Sequence, residues 1–253
     1  MYGIDVSHYQ KDIDWSKVKQ SGKEFAIMKA MYETSHRPDE CFEKNYRGCK
    51  ANNIITGAYI FIGSKSIENP KDDAEAFLNI LNGREMQYGI WIDAESAKLR
   101  ACGKARVEQI ILTEIDVIKK AGYRVGVYTN LDWYKNVLTA SVKNYPIWMA
   151  RYPLNDNGTI KTSLSPKDKY PNVVAWQYSS KGKVPGIKGN VDMDVDYGFM
   201  ARKTVEQLAL EVIDGKWGSA KTNPTRKTLL TNAGYNYIDV QNMVNKLLKS
   251  GSR

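Results

Sequence analysis

The clearest chemical signal in the chain is the run Trp91-Ile92-Asp93-Ala94-Glu95. Alternate side chains of a strand share a face, so Trp91, Asp93 and Glu95 point one way and Ile90, Ile92 and Ala94 the other. The Asp93 and Glu95 Cα atoms would then sit roughly 6–7 Å apart. Two carboxyls this close, at the end of an apolar strand, repel each other and lose hydration. That pushes one of them toward its neutral form. A neutral acid beside a charged partner is what cleavage of a glycosidic bond requires. The same pair also fits a hydrated strand end, or ion pairs with nearby lysines. Asp5 holds the corresponding place after Tyr2-Gly3-Ile4, and Asp192 does so in Val191-Asp192-Met193-Asp194-Val195-Asp196. In a closed barrel the first and last strands are neighbours. Asp5, Asp93, Glu95 and Asp192 would then converge at one mouth, where barrel active sites lie.

The elements that must position these acids are legible as alternating apolar runs and helical patterns. Strands are expected at 2–6, 25–31, 55–62, 88–94 and 125–129. Helices are expected at 14–22, 40–52, 70–82 and 104–121. Asn69 followed by Pro70 is a helix start, and Gly83 and Gly122 are stops. Ala74, Phe77, Leu78 and Leu81 make one apolar stripe, and Val107, Ile111, Ile115 and Ile118 another. Three more strands, at 147–150, 173–178 and 191–197, are joined by segments rich in Pro, Asn, Ser and Lys that read as loops. This rhythm predicts an irregular α/β barrel. A doubly wound open sheet is the alternative, but no Gly-rich phosphate turn follows any strand. After Lys203 the texture changes to three short helices, at 204–214, from Asn223 and Pro224 to Gly234, and at 237–248. Val240, Val244, Leu247 and Leu248 are expected to face inward in this small bundle.

Composition narrows the classes. The 253 residues are 42% hydrophobic, enough for a sizeable core. The 16 Tyr and 6 Trp suit sugar-holding clefts and ordinary cores alike. The net charge of +9 is shared by the body and the tail and fits an anionic polymer, although no dense Lys/Arg run appears. Cys41, Cys49 and Cys102 form no CxxC pair, and their odd number fits a reducing compartment. A Cys41–Cys49 bridge is disfavoured by the helical spacing. Only His8 and His36 are present, so a zinc site is poorly supported and no metal or cofactor is expected. The first ten residues contain Asp5 and lack an apolar signal core, and no run of about 20 apolar residues occurs. Synthesis in a cytoplasm is therefore expected.

Gly3-Ile4-Asp5-Val6-Ser7-His8-Tyr9-Gln10, with Trp15 soon after, resembles the opening of the family 25 glycoside hydrolases, the lysozymes (muramidases) of phages, bacteria and fungi. Phe25 to Ala30, Gly57-Ala58-Tyr59, Trp91 to Glu95, Val127-Tyr128-Thr129-Asn130, Trp148-Met149-Ala150-Arg151-Tyr152, Trp176-Gln177-Tyr178 and Val191-Asp192 continue the match in family order. The resemblance implies a TIM-like barrel of five strand–helix units and three further strands. It also implies hydrolysis of the β-1,4 bond between N-acetylmuramic acid and N-acetylglucosamine. By position, Glu95 would be the proton donor. Asp93 would steady the substrate's 2-acetamido group, and Asp5 and Asp192 would be supporting acids. Asp192 as direct nucleophile or base is a competing assignment. Tyr59, Tyr128, Trp148 and Gln177 fall where the family lines its sugar groove, though each ring could equally be core. Ile60 departs from the His or aromatic of many members, which would put one substrate contact in question.

The tail resembles the short cell-wall-binding repeat of the CW-seven type. The resemblance rests on Gly215-Lys216-Trp217-Gly218, Arg226, Leu229-Leu230 and Ala233-Gly234-Tyr235-Asn236-Tyr237, among others. Trp217 and Arg226 are its candidate wall-binding residues, with Trp217 equally fitting a core role. The expected organisation is a catalytic domain at 1–200, a linker at 201–205 and a wall-binding three-helix repeat at 206–253. The expected partner is bacterial peptidoglycan, without nucleic acid or membrane insertion. The expected role is that of a phage-type endolysin. The rivals are a non-catalytic wall-binding protein on the same barrel and a chitinase-like glycosidase. A nucleic-acid binder would rest on charge alone.

Overall fold

A computed structural model of the chain describes residues 1–200, 203–233 and 235–250. Among these residues eight strands close into one barrel in sequence order. They are β1 (Tyr2–Val6), β2 (Phe25–Lys29), β3 (Ile55–Phe61), β4 (Ile90–Asp93), β5 (Val125–Asn130), β6 (Ile147–Ala150), β7 (Val173–Gly182) and β8 (Val191–Asp196). Neighbours from β1 to β7 are parallel, whereas β8 runs antiparallel to both β7 and β1. Closure excludes the doubly wound alternative.

The first five strands are separated by helices. These are α1 (Trp15–Gln20), α2 (Phe42–Ala51), α3 (Ser64–Glu68), α4 (Pro70–Leu81), α5 (Ala97–Ala101) and α6 (Lys104–Lys120). The start signals act as read. Asp14 accepts from Lys17 N, and Asn69 accepts from Asp72 N with Pro70 at the first helical position. The apolar stripes of α4 and α6 are buried against the outer faces of the strands, apart from Leu78, which is partly buried.

Period-two alternation divides the strands into two cores. Ile4, Val6, Ala26, Met28, Ile60, Ile90 and Ile92 face the helices. Phe25, Ile27, Trp91, Tyr128 and Trp148 fill the barrel interior. Room for these rings comes from missing side chains. A Cβ on Gly126 would lie 2.4 Å from the Trp91 ring, and one on Gly3 would lie 2.4 Å from Phe25.

Several expectations need correction. No helix is expected from periodicity between β5 and β6, yet α7 (Leu131–Asn136) and α8 (Ala140–Lys143) fill that connection, while the segments joining β6, β7 and β8 hold no α-helix among the described residues. β7 runs on past Tyr178 to Gly182, pairing with β8 through two register shifts. In the tail, α9 (Val205–Ile213), α10 (Arg226–Asn232) and α11 (Tyr237–Ser250) pack around Leu208, Val212, Leu230, Val240 and Val244. The second helix is capped by Thr225, not by Asn223. Leu248 is exposed rather than inward-facing. The stop at Gly234 lies outside the described residues. The three cysteines are free thiols, with Cys41 and Cys49 buried.

Candidate active site

All eight acids, rings and amides singled out for the groove line one cavity of about 280 Å³ at the C-terminal mouth of the barrel. The register explains the convergence. Asp5 is the Cα partner of Asp192, and Asp93, Tyr128 and Trp148 are successive partners across β4, β5 and β6. Tyr59 pairs with Trp91 one layer away. Glu95 follows the end of β4 and also borders a second depression of about 460 Å³, which shares Tyr128 and Tyr152 with the first. Glu95 therefore stands between two halves of a continuous groove.

The acids are not hydrated strand ends. Asp5 and Asp93 are buried, and one Asp93 oxygen, Oδ1, has no hydrogen-bond partner. Burial, then the neighbouring Glu95, drives the Asp93 carboxyl well above its ordinary range, against a smaller pull from Lys29. Burial also raises Glu95, while Asn130 holds it back through a hydrogen bond. Both members of the pair are shifted upward, where the sequence pattern implied one. Burial raises Asp192 to about 6, helped by Asp156 and Glu95. Asp5 is raised by burial, Asp192 and Asp194.

A chain of hydrogen bonds organises the floor. Tyr128 and Tyr152 hydroxyls both donate to Gln177 Oε1, and Gln177 Nε2 donates to Asp5 Oδ2 at 2.6 Å. Trp148 Nε1 donates to Asp194 Oδ1 at 2.8 Å. Trp148 is thus packed in the barrel interior and polar-bonded, and it also lines the cavity. Trp176 faces the helix layer instead.

Three residues were not singled out by sequence reasoning. Tyr152 and Tyr9 line the groove, and Tyr9 is an exposed ring at its rim. Both sit inside motifs quoted for other residues. Asp194 was legible only from the alternation of Asp192, Asp194 and Asp196 on β8. Ile60 is corrected: it is buried in the strand–helix layer, so its departure from the family pattern does not touch the groove.

In the tail, Trp217 donates from Nε1 to Glu211 at 3.0 Å and meets Tyr235 edge-on. Arg226 donates from Nε and Nη2 to Gly218 O and from Nη1 to Gln241 Oε1. Both side chains are engaged within the bundle, where they hold the loop at 218–225.

A closed α/β barrel with paired carboxyls at its mouth is an arrangement suited to glycosidic bond cleavage. Residues 4–187 match the family model of glycosyl hydrolases family 25, and residues 206–248 match that of the CW_7 repeat. The chain belongs to glycosyl hydrolases family 25 and carries a C-terminal CW_7 repeat. It is 29% identical over 194 residues to the autolytic lysozyme of Clostridium acetobutylicum, a match covering 77% of this chain and 55% of that one. The chain thus spans about half the length of that relative. The crystal structure of the bacterial lysozyme from Streptomyces coelicolor matches with a TM-score of 0.65 at 27% identity, covering 78% of this chain and 92% of that one. A family 25 glycosyl hydrolase from Bacillus anthracis gives 0.64 at 26%, covering 78% and 89%.

Proposed function

We propose that the protein is a peptidoglycan hydrolase, a lysozyme that cleaves the β-1,4 bond between N-acetylmuramic acid and N-acetylglucosamine. The observation that carries this reading is Glu95 between two groove halves, beside a buried Asp93 with an orphan oxygen. Cleavage inside a polymer needs sugar sites on both sides of the acid. In the proposed reaction Glu95 protonates the glycosidic oxygen as the bond to C1 breaks. The substrate's 2-acetamido oxygen attacks C1, and Asp93 Oδ1 accepts from the acetamido N–H. Leaving that oxygen without a donor costs on the order of 1–3 kcal/mol, which substrate binding would recover. Glu95 then takes a proton from water as it opens the cyclic intermediate, and the β-anomer is retained. Tyr59, Tyr128, Trp148 and Gln177 hold the sugars, and Asp5 and Asp192 support the acid pair.

The tail at 206–253, joined by a linker at 201–205 to a catalytic domain at 1–200, is proposed to hold the wall through the loop that Trp217 and Arg226 fix. The biological role proposed is that of an endolysin, waiting in the host cytoplasm and acting after release. Among the described residues no helix is long and apolar enough to cross a membrane. The test is turbidity loss of purified walls, with chitin and DNA as controls, and with the anomer of the first product followed by NMR. Clearing of walls alone with a β-anomer supports the reading. Chitin cleavage at an equal rate or an inverted anomer overturns it. Co-expression with and without a pore-forming protein tests the endolysin role, since lysis without the pore would contradict it.

A further inference from the structure

Asp194 is a buried carboxyl that the proposed reaction does not use. Alternation along β8 places Asp192 at the mouth and Asp194 one layer deeper, with Asp196 below them bonded to the Tyr88 hydroxyl. Asp194 is fully enclosed. Its Oδ1 accepts from the Trp148 indole, and its Oδ2 has no donor among the described residues. Its carboxyl is in hydrogen-bonding contact with that of Asp5, which accepts from Gln177 on its own Oδ2.

Each carboxyl of the pair has one bonded donor among the described residues. Trp148 serves Asp194, Gln177 serves Asp5, and the Tyr128 and Tyr152 hydroxyls serve Gln177. The charged groups that face Asp194 are Asp192 and Asp5, with Lys23 the cation acting on it. The hydroxyls of Tyr88, Tyr152 and Tyr178 feel its charge from the surrounding strands and loop. Two carboxylates in contact in a water-poor interior, with one donor each, cannot both stay ionised.

We propose that Asp5 and Asp194 share a single proton, and that Asp194 is thereby a positioning residue of the active site. With one proton between them, the Asp5 hydroxyl donates to the orphan Oδ2 of Asp194, and every oxygen of the contact is satisfied. The floor of the groove then carries one negative charge in place of two. Trp148 is held by that charge, and Asp192 ionises above it. Burial, then the charge of Asp192, raises both carboxyls, while their contact raises Asp5 further and holds Asp194 back, as a proton on Asp5 requires.

The inference rests on the lysozyme reading only for its activity arm. The first experiment is infrared spectroscopy of the full-length chain at neutral pH, reading the protonated-carboxyl band. Asp194→Asn is isosteric, keeps an acceptor for Trp148 and offers Asp5 an amide donor, so Asp5 should ionise and one protonated carboxyl should vanish. Asp5→Asn should lose the same one, and the double variant should lose no more than either. Two neutral acids would instead lose one in each single variant and two in the double, and two ionised acids would lose none. Either result overturns the proposal. Asp73, Asp93, Glu95 and Glu114, also raised by burial, cancel in these differences, and Asp192, raised to about 6, is largely ionised at neutral pH.

The second readout is the pH profile of hydrolysis of soluble wall fragments. With the buried charge moved from Asp194 onto Asp5, the Cα partner of Asp192, the acid limb in Asp194→Asn should move up by about half a pH unit or more. A uniform loss of rate with an unmoved limb would reduce Asp194 to a structural role. Absence of hydrolysis in the wild type would sink the lysozyme reading and leave the infrared result standing.

Discussion

Gln177 Nε2 donates to Asp5 Oδ2 at 2.6 Å, a bond between residues 172 positions apart. The same amide accepts from Tyr128 on β5 and from Tyr152 beyond β6. One side chain on β7 therefore ties the first strand of the barrel to the far side of the groove. Flipping its amide would set the amide oxygen against Asp5 Oδ2.

Gln177→Leu should strip Asp5 of its donor and leave two hydroxyls without an acceptor. Each stranded buried group costs about 1–3 kcal/mol, so a loss of roughly 2–5 kcal/mol in urea unfolding is expected, with a large fall in lysis. A variant as stable as the wild type would show that the chain of bonds does not organise the floor.

Stability should fall as pH rises from 3.8 through about 6. Asp192 is raised from 3.8 to about 6, mainly by burial. A carboxyl raised on folding contributes stability that is complete below its unfolded pKa and is lost as pH climbs through its folded one. Asp5, Asp93, Glu95 and Asp194 shift the same way. Asp192→Asn should therefore raise the melting temperature near pH 8 by roughly 3–8 °C and change it little near pH 4. A variant that melts below the wild type at the alkaline end would contradict this.

Gly126→Ala probes the packing beneath the site. Its new methyl would meet the buried Trp91 ring at 2.4 Å and Pro146 O at 2.8 Å. Overpacking of this kind costs about 1–3 kcal/mol. Displacing Trp91 should also disturb Asp93, two residues along the same strand face. Thermal melts and wall-clearing rates should fall together, and a variant unchanged in both would show that the interior yields freely.

Much of this was legible because strands and long helices repeat themselves. Period two placed Asp5, Asp93 and Asp192 on inward faces, and closure brought them together. What escaped was not periodic. α3, α5, α7 and α8 are each a turn or so long and announce themselves only by a cap such as Ser96 or Asn130. The polar end of β7 from Ser179 to Gly182 carries no apolar run, and pairing with β8 makes it a strand. Asp194 was visible in the alternation, but its burial depends on the barrel closing over it. Arg226 reads from the sequence as a candidate wall-binding residue, and its bonds to Gly218 O and Gln241 are set only by the bundle's tertiary fold.

Truncation after residue 203 should leave a folded barrel active on small soluble fragments. The barrel contains every strand, and the tail has its own apolar centre around Leu208, Leu230 and Val240. Clearing of intact walls should drop, modestly at low salt, where the basic barrel still attracts an anionic polymer, and more at high salt. Equal wall pull-down by the full and truncated chains at every salt would remove the tail's proposed role.

The central claim is that Glu95 supplies the proton that breaks a muramic-acid glycosidic bond. The most direct measurement is mass spectrometry of reduced digestion products from purified peptidoglycan, using wild type and Glu95→Gln with matched melting curves and wall pull-down. The account predicts fragments ending in reduced N-acetylmuramic acid from the wild type. From the variant it predicts a rate lower by about 10²–10⁴-fold, the usual worth of a general acid. Fragments ending in reduced N-acetylglucosamine, or a Glu95→Gln chain that digests walls at near the wild-type rate, would contradict it.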